Sequence, residues 1–229
     1  YAYDADGKEV GSRFAVKGGD IQVRLDDSDA RYPVTIDPWV ETAKLTSSDS
    51  AEFNLLGTSV SMSTDGNTVV AGDTHYSSGT GINRSAVYVY SKPSGGWADN
   101  TETAQLTAST SASTSGFGKS VSISSDGGTV VTYADSTYMD ITDDGENNPE
   151  QIKGVVFVFE RSGSGWANST ETAKLTFLDG RFDYGNLIRS PVSISADGGT
   201  VVTAGYADEM YVFSRPGIGW EDVLKAAKL

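Results

Sequence analysis

The sequence predicts an all-β fold built from small antiparallel sheets, and three observations predict it. A strand of alternating apolar residues and serines, followed by a Gly-containing turn, occurs three times. A strand rich in Val and aromatic residues follows each copy, and a segment like TAKLT follows each of those strands. A repeated four-stranded unit cannot bury both faces alone, and radial packing of such sheets is the β-propeller arrangement. We therefore expect a β-propeller-type array of four-stranded antiparallel blades, partial or open because three repeats are clear.

The first two strands of each unit are predicted to form a hairpin. Period-two alternation places the apolar residues on one face of a pleated strand. Gly accepts the positive φ that a tight turn needs and Asp tolerates it, so the turns join adjacent antiparallel strands. The hairpins span Ser59–Val70, Ser120–Val131 and Pro191–Val202, with turns at Asp65-Gly66, Gly127-Gly128 and Asp197-Gly198.

The third and fourth strands complete each unit. The third strands are Ala86–Tyr90, Val155–Phe159 and Met210–Phe213, and the outer TAKLT-like strands are Thr42–Thr46, Thr103–Thr107, Thr172–Thr176 and Ala226–Leu229. A Gly-Trp pair follows each third strand, at Trp97, Trp166 and Trp220. Aromatic side chains dominate core burial, so we expect these rings to pack between blades. A platform for sugar rings is the alternative.

Two regions are predicted along the chain. Residues 1–38 do not repeat and form an N-terminal β segment with strands at Arg13–Lys17, Ile21–Leu25 and Tyr32–Ile36, either a divergent blade or the end of an upstream domain. Residues 39–229 hold three propeller repeats, at about 47–108, 117–177 and 182–229. Propellers typically close with four to eight blades, so either residues 1–46 contribute a fourth, divergent blade, or further blades lie outside this segment, or copies associate through their end blades. The start at Tyr1 indicates a segment processed from a longer precursor.

Composition excludes several functions. The formal net charge of −14 repels phosphate backbones, which argues against nucleic-acid binding. The sequence contains no run of about 18 apolar residues, so we expect no membrane insertion. With one His (His75) and no Cys, a zinc set is excluded and no Ser-His-Asp arrangement is indicated. A pair of glycosidase carboxylates is defined by distance in space, so the sequence leaves it open. We expect a protein that is not an enzyme.

A family resemblance follows from the order of these motifs. Phe117-Gly118 before the hairpin, Asp-Gly-x-Thr-Val-Val within it and the aromatic strand after it resemble the FG-GAP repeat of integrin-α-type β-propellers. The first copy departs from the motif with Leu56-Gly57, and the third with Tyr184-Gly185. The resemblance implies a secreted or surface protein whose loops at one end meet ligands. The long Asp-rich loop of calcium-binding family members is absent, because each hairpin turn supplies one carboxylate.

The long connections between the second and third strands hold the candidate site residues. The ligand-contact candidates are His75, Tyr76, Arg84 and Tyr138. Asp140, Asp143, Asp144 and Asn147 are either a calcium site or a solvated acidic loop, since their spacing does not fit an EF-hand. Two sequons make Asn83 and Asn168 glycosylation candidates.

These observations predict a non-enzymatic extracellular module for protein interaction, adhesion or structure, assembled into an oligomer or fibre through its end blades. Its partners would be a protein or glycan at the cell surface or matrix, besides further copies of itself. Two alternatives stay open. A lectin-like propeller would bind carbohydrate selectively through Tyr76 or Tyr138, and a secreted hydrolase would show turnover that depends on one carboxylate.

Overall fold

The protein is an all-β chain in its described part. The computed structural model describes residues 2–18, 20–36, 42–49, 55–74, 85–109, 114–136, 152–178, 191–204, 209–217, 219–223 and 227–228. Every helix or strand assigned within these residues is a β-strand, which confirms the predicted fold class. Contacts divide the chain into two units, Tyr1–Thr42 and Ala43–Leu229.

The first unit contains a long hairpin and a short strand pair. Its strands are β1 (Ala2–Tyr3), β2 (Gly11–Lys17), β3 (Asp20–Asp26) and β4 (Thr35–Ile36). Strands β2 and β3 pair antiparallel, and β1 pairs antiparallel with β4. The first two predicted strands are confirmed within β2 and β3. The predicted strand Tyr32–Ile36 is shorter, beginning at Thr35, since Pro33 has no N–H for a strand ladder.

The second unit contains the repeats. Its strands before the second repeat are β5 (Leu45–Thr46), β6 (Leu56–Met62), β7 (Thr68–Asp73), β8 (Ala86–Ser91), β9 (Asn100–Thr101) and β10 (Ala104–Thr107). The second repeat adds β11 (Thr114–Ser115), β12 (Val121–Ile123), β13 (Thr129–Ser136), β14 (Ile152–Glu160), β15 (Ser169–Thr170) and β16 (Ala173–Leu178). The third adds β17 (Val192–Ile194), β18 (Thr200–Ala204), β19 (Met210–Ser214) and β20 (Ala227–Lys228).

Each repeat makes one antiparallel sheet, which we call a blade. The first blade is β6-β7-β8-β10, the second is β12-β13-β14-β16 and the third is β17-β18-β19-β20. Apart from the short strands β9 and β15, which pair with other outer strands, neighbouring strands in each blade follow one another along the chain, so every blade is a meander of the four strands that the motifs predict. The inner strands β6, β12 and β17 of consecutive blades contact one another.

One hydrogen-bond network repeats at all three hairpin turns. In the second blade, Ser124 Oγ donates to Asp126 Oδ1 at 2.6 Å, and Gly128 N donates to the same oxygen at 2.9 Å. Trp166 Nε1 then donates to the carbonyl of Gly127 at 3.0 Å. The equivalent residues in the other blades make the same three contacts: Ser63, Asp65, Asn67, Trp97 and Gly66, then Ser195, Asp197, Gly199, Trp220 and Gly198.

The turn glycine adopts the left-handed conformation that the sequence predicts. Its φ is 67° at Gly66, 67° at Gly127 and 69° at Gly198. Because a Cβ is strained in this region, Gly is the residue that fits the turn. The tryptophans therefore have a role that the motif did not show, since each ring closes the hairpin of its own blade as well as packing in the core.

Apolar side chains fill the space between consecutive blades. Between the first and second blades, the cluster includes Val70, Val87, Val89 and Leu106 on one side and Val121, Ile123, Phe157 and Phe159 on the other. Between the second and third, it includes Val131, Val156, Val158 and Leu175 against Val192, Ile194, Tyr211 and Phe213. Both faces of the middle blade are thus buried, as the alternation of Val and aromatic residues in its third strand predicts.

The serines of the inner strands join neighbouring blades. Ser59 Oγ donates to the carbonyl of Gly118 at 2.8 Å, and Val192 N donates to Ser120 Oγ at 3.0 Å. Ile194 N donates to Ser122 Oγ at 3.3 Å. The polar half of the alternating pattern therefore satisfies backbone and hydroxyl groups at the junctions between inner strands.

The outer strands join neighbouring blades at the opposite edge. Strand β5 pairs in parallel with β9, and β10 pairs in parallel with β15. A parallel bridge between Leu175 and Val223 repeats this arrangement. In each copy an Asn or Asp side chain accepts from the third residue of the TAKLT-like motif, and the pairs are Asp99 with Lys44 N (2.7 Å), Asn168 with Gln105 N (2.8 Å) and Asp222 with Lys174 N (2.8 Å).

Candidate interaction surface

One apolar face of the first blade is exposed although its counterparts are buried. Val60 and Met62 on β6 are 67 % and 59 % exposed. The matching residues of the other two blades, Val121 and Ile123 on β12 and Val192 and Ile194 on β17, are 7–9 % exposed. The blade before it in the chain covers each of those residues. The described part of the chain holds no blade before β6. We call Val60 and Met62 the open face.

The contact that covers this face in the second blade depends on two glycines. Gly118 has φ of 81°, and a Cβ there would lie 2.9 Å from the carbonyl oxygen of Ala86 in the first blade. A Cβ on Gly72 of the first blade would lie 1.7 Å from the carbonyl oxygen of Gly118. Phe117 beside it is fully buried and makes edge contacts with the rings of Phe157 and Phe159. The Phe-Gly motif of the second blade is thus its point of closest backbone contact with the first blade.

The equivalent glycine of the first blade has no such contact. Gly57 has φ of 88°, yet a Cβ there would meet nothing within 4 Å. Its neighbour Leu56 is half-buried, whereas Phe117 is fully buried. Gly57 therefore has the same left-handed backbone conformation as Gly118, but among the described residues it makes no close contact with another blade.

The outer half of the same side of the first blade is covered by residues 42–49. Tyr88 and Tyr90 lie there with 1 % and 2 % exposure. Tyr88 Oη donates to Asp49 Oδ1 at 2.7 Å, and Tyr90 Oη donates to the carbonyl of Thr46 at 3.2 Å. Burial, followed by the hydrogen bond to Asp49, raises the pKa of the Tyr88 hydroxyl above its ordinary value. Both phenols therefore stay protonated and hold this segment on the sheet.

Strand β5 of that segment has one paired edge. It pairs with β9 in the way that β10 pairs with β15. The other edge of β10 pairs with β8, whereas β5 pairs with β9 alone among the described strands. This side of the first blade therefore combines the exposed apolar open face with an edge strand, whose backbone N–H and C=O groups can pair with another strand.

Most residues that the sequence singles out lie outside the described residues. These are the ligand-contact candidates His75, Tyr76, Arg84 and Tyr138, the calcium candidates Asp140, Asp143, Asp144 and Asn147, and the sequon residue Asn83. They stay predictions. Among the residues that the structure describes, no cluster of three or more His, Cys, Asp or Glu side chains could hold a metal ion.

Asn168 is described, and it is an exposed residue of the outer edge. Its Oδ1 accepts from Gln105 N, in the place that Asp99 and Asp222 take in the other copies. The side chain therefore links two blades whether or not it carries a glycan. Searching the described residues for a helix long and apolar enough to cross a membrane finds none.

The open face itself was not among the predicted site residues. Alternation of Val60 and Met62 with serines predicts one apolar face and does not say whether another sheet covers it. What differs is the neighbour of the strand, because the described residues hold no blade that covers β6 as the first blade covers β12.

The fold defines a class, that of all-β repeat proteins whose four-stranded blades pack face to face in series. Residues 39–90 match the family model of the FG-GAP repeat, which confirms the resemblance over that stretch. None of the curated proteins searched matches the chain.

Two solved structures illustrate the structural similarity. The chain is similar to prolyl oligopeptidase B from Galerina marginata, with 13 % identity and a TM-score of 0.40, over 77 % of this chain and 23 % of that one. It is also similar to a structure of the complex of KlAtg21 with the coiled coil of AgAtg16, with 17 % identity and a TM-score of 0.31, over 70 % of this chain and 40 % of that one. The chain thus spans less than half of either protein.

Proposed function

We propose that this chain is a non-enzymatic, extracellular interaction module that assembles with other protein through the open face of its first blade. The open face carries this proposal. Val60 and Met62 expose side chains whose counterparts in two other blades are 7–9 % exposed. Burying an apolar side chain that is exposed in the free protein contributes about 25 cal/mol per Å² to association.

Two further observations support a role in recognition. The FG-GAP match supports an interaction module of the secreted or surface type. The described tryptophans use their Nε1 groups within the turns of their own blades, and Trp166 and Trp220 are buried. The buried rings of Trp166 and Trp220 therefore offer no face to a sugar ring, and the lectin alternative that we predict depends on the loop tyrosines, outside the described residues.

We propose that the module serves in adhesion or as a structural component of a fibre. The net charge of −14 keeps the remaining surface repulsive towards acidic partners and anionic lipids, so the apolar face is the favoured contact. A module whose end blades both attract further sheets can extend an array.

The test replaces the open face and measures association. We expect Val60→Ser with Met62→Ser to weaken self-association at least tenfold in sedimentation velocity, with an unchanged circular dichroism spectrum, because both side chains are exposed in one chain. Val16→Ser in the N-terminal unit is the control for the Val60→Ser change, since Val16 is 76 % exposed on a strand. Equal association of the double variant and the parent would contradict the proposal.

A further inference from the structure

The outer edge of the second blade carries a sequon that the proposed function does not use. Asn168, Ser169 and Thr170 follow the buried Trp166, and all three are exposed. Ser169 and Thr170 form β15, which pairs in parallel with β10 and ends its sheet. An Asn-x-Ser/Thr triplet is the acceptor motif of N-linked glycosylation, and the folded chain must leave its Asn accessible to accommodate the sugar. Asn168 meets this condition.

The two polar atoms of the Asn168 side chain have different environments. Oδ1 accepts from Gln105 N at 2.8 Å. Because a backbone N–H is a donor, the amide atom that faces it is the oxygen, and this fixes the orientation of the amide group. Nδ2 has no hydrogen-bond partner among the residues that the structure describes. The atom to which an N-linked sugar is attached is therefore the one that the blades do not use.

The equivalent residues show that the fold needs only an oxygen at this position. Asp99 and Asp222 occupy it in the other two copies, and they accept from the backbone N–H groups of Lys44 and Lys174 at 2.7 Å and 2.8 Å. A carboxylate has acceptors alone, so the link between blades forms without an amide nitrogen. Nothing in the packing requires Asn168 to be Asn.

We propose that Asn168 carries an N-linked glycan. The inference rests on the extracellular location in the proposed function, because the donor of such a glycan, an oligosaccharide on a polyprenyl diphosphate, is used during secretion. In the transfer, Nδ2 forms a bond to C1 of the first sugar and loses one proton to solvent. The bond from C1 to the diphosphate oxygen breaks, and the polyprenyl diphosphate leaves with the electron pair.

The attachment point lies far from the open face. Strand β15 is at one end of its five-stranded sheet and β6, which carries Val60 and Met62, is at the other. Neighbouring strands lie about 4.8 Å apart, which places β6 about 19 Å from β15. No described strand pairs with the other edge of β15, and a bulky polar group beside a free edge obstructs pairing with another molecule. The glycan therefore protects this edge and leaves the open face available for assembly.

Secretion of the chain from cultured animal cells, followed by peptide mapping in a mass spectrometer, tests the site. We expect the peptide that contains Asn168 to carry a sugar chain that an N-glycan-releasing amidase removes. Asn168→Asp should abolish this modification and keep the hydrogen bond to Gln105 N, as Asp does in the other two copies. Unchanged self-association of this variant in sedimentation velocity is expected, since the glycan is remote from the open face.

Asp99→Asn is the reciprocal variant. Asp99–Thr101 reads Asp-Asn-Thr where Asn168–Thr170 reads Asn-Ser-Thr, so this change creates a sequon at the equivalent, exposed position of the first copy. The new amide oxygen keeps the acceptor for Lys44 N. We expect this variant to gain a second glycan at the outer edge.

The outcomes separate this inference from the proposed function. A secreted chain whose Asn168 peptide is bare, whether or not Asn83 or the Asp99→Asn position carries sugar, would overturn the inference. Association that still depends on Val60 and Met62 would then leave the proposed function standing. A glycan at Asn168 in a chain whose association ignores the open face would overturn the proposed function alone.

Discussion

Single atoms decide how closely consecutive blades approach. The carbonyl of Gly118 accepts from Ser59 Oγ at 2.8 Å while it lies against Gly72, where no side chain fits. On its other side Gly118 N donates to Thr132 Oγ1 at 3.0 Å. The Phe-Gly motif therefore works through a main-chain contact between blades, and the glycine opposite is as necessary as the motif itself.

Gly72→Ala is expected to destabilise the protein by about 3 kcal/mol or more, because the new Cβ meets a backbone oxygen that cannot rotate away. Urea denaturation followed by fluorescence measures the loss. Gly95→Ala is the control, since a Cβ there meets nothing within 4 Å and the position has no positive φ. Equal stabilities of the two variants would contradict the contact between Gly72 and Gly118.

The turn carboxylates make stability depend on pH. The hydrogen bond from Ser124, followed by that from Gly128 N, lowers the pKa of Asp126 below its ordinary value. A lowered native pKa stabilises the fold at a pH above the ordinary value, and this contribution is lost as the pH falls through the lowered pKa.

Asp126→Asn should therefore cost stability near neutral pH and cost less in acid, once the pH has fallen below the lowered pKa of the aspartate. The measurement is the free energy of unfolding of parent and variant at both pH values. Asp29→Asn, an exposed carboxylate in the N-terminal unit, is the control. If the loss of unfolding free energy in Asp126→Asn, relative to the parent, were larger at low pH than at neutral pH, the predicted direction of the pH dependence would be wrong.

At the scale of the element, the same inner strand has two environments. Ile123 in β12 and Met62 in β6 occupy equivalent positions, yet one is 7 % and the other 59 % exposed. The strand sequence is compatible with both environments, and the neighbouring blade selects between them.

Ile123→Ala should cost about 2–5 kcal/mol because it leaves a cavity between two blades. Met62→Ala should change the stability of the single chain by no more than about 0.5 kcal/mol, as for surface substitutions. Thermal and urea unfolding at a protein concentration too low for association compare the two. A Met62→Ala loss as large as that of Ile123→Ala would mean that the open face is covered within one chain.

Much of each element was predictable from the sequence. Alternation of Val121 and Ile123 with serines, the Asp-Gly turn and the Val-rich third strand predict the four strands and their order, because these are local patterns. The indole bond of Trp166 to Gly127 was not predictable, since it joins residues that lie far apart in the chain. Exposure of Val60 was not predictable either, because it depends on which sheet is next to the strand.

At the scale of the whole second unit, the blades form a series with two unlike ends. The first described blade presents the open face and β5, and the third presents the half-buried Val202 and Val212 on the side away from the second blade. Unlike ends that complement each other favour a heterologous contact, which closes into a ring or extends into a filament according to its angle. The prediction of self-association follows from these ends.

Oxidation of Met62 tests most directly whether the open face becomes an interface. Exposed methionines react with peroxide, and burial protects them. We expect the oxidation rate of Met62 to fall as the protein is concentrated into its assembled form, and to stay fast in a Val60→Ser variant that no longer assembles. A Met62 that reacts equally fast at all concentrations, while light scattering records assembly, would contradict the account.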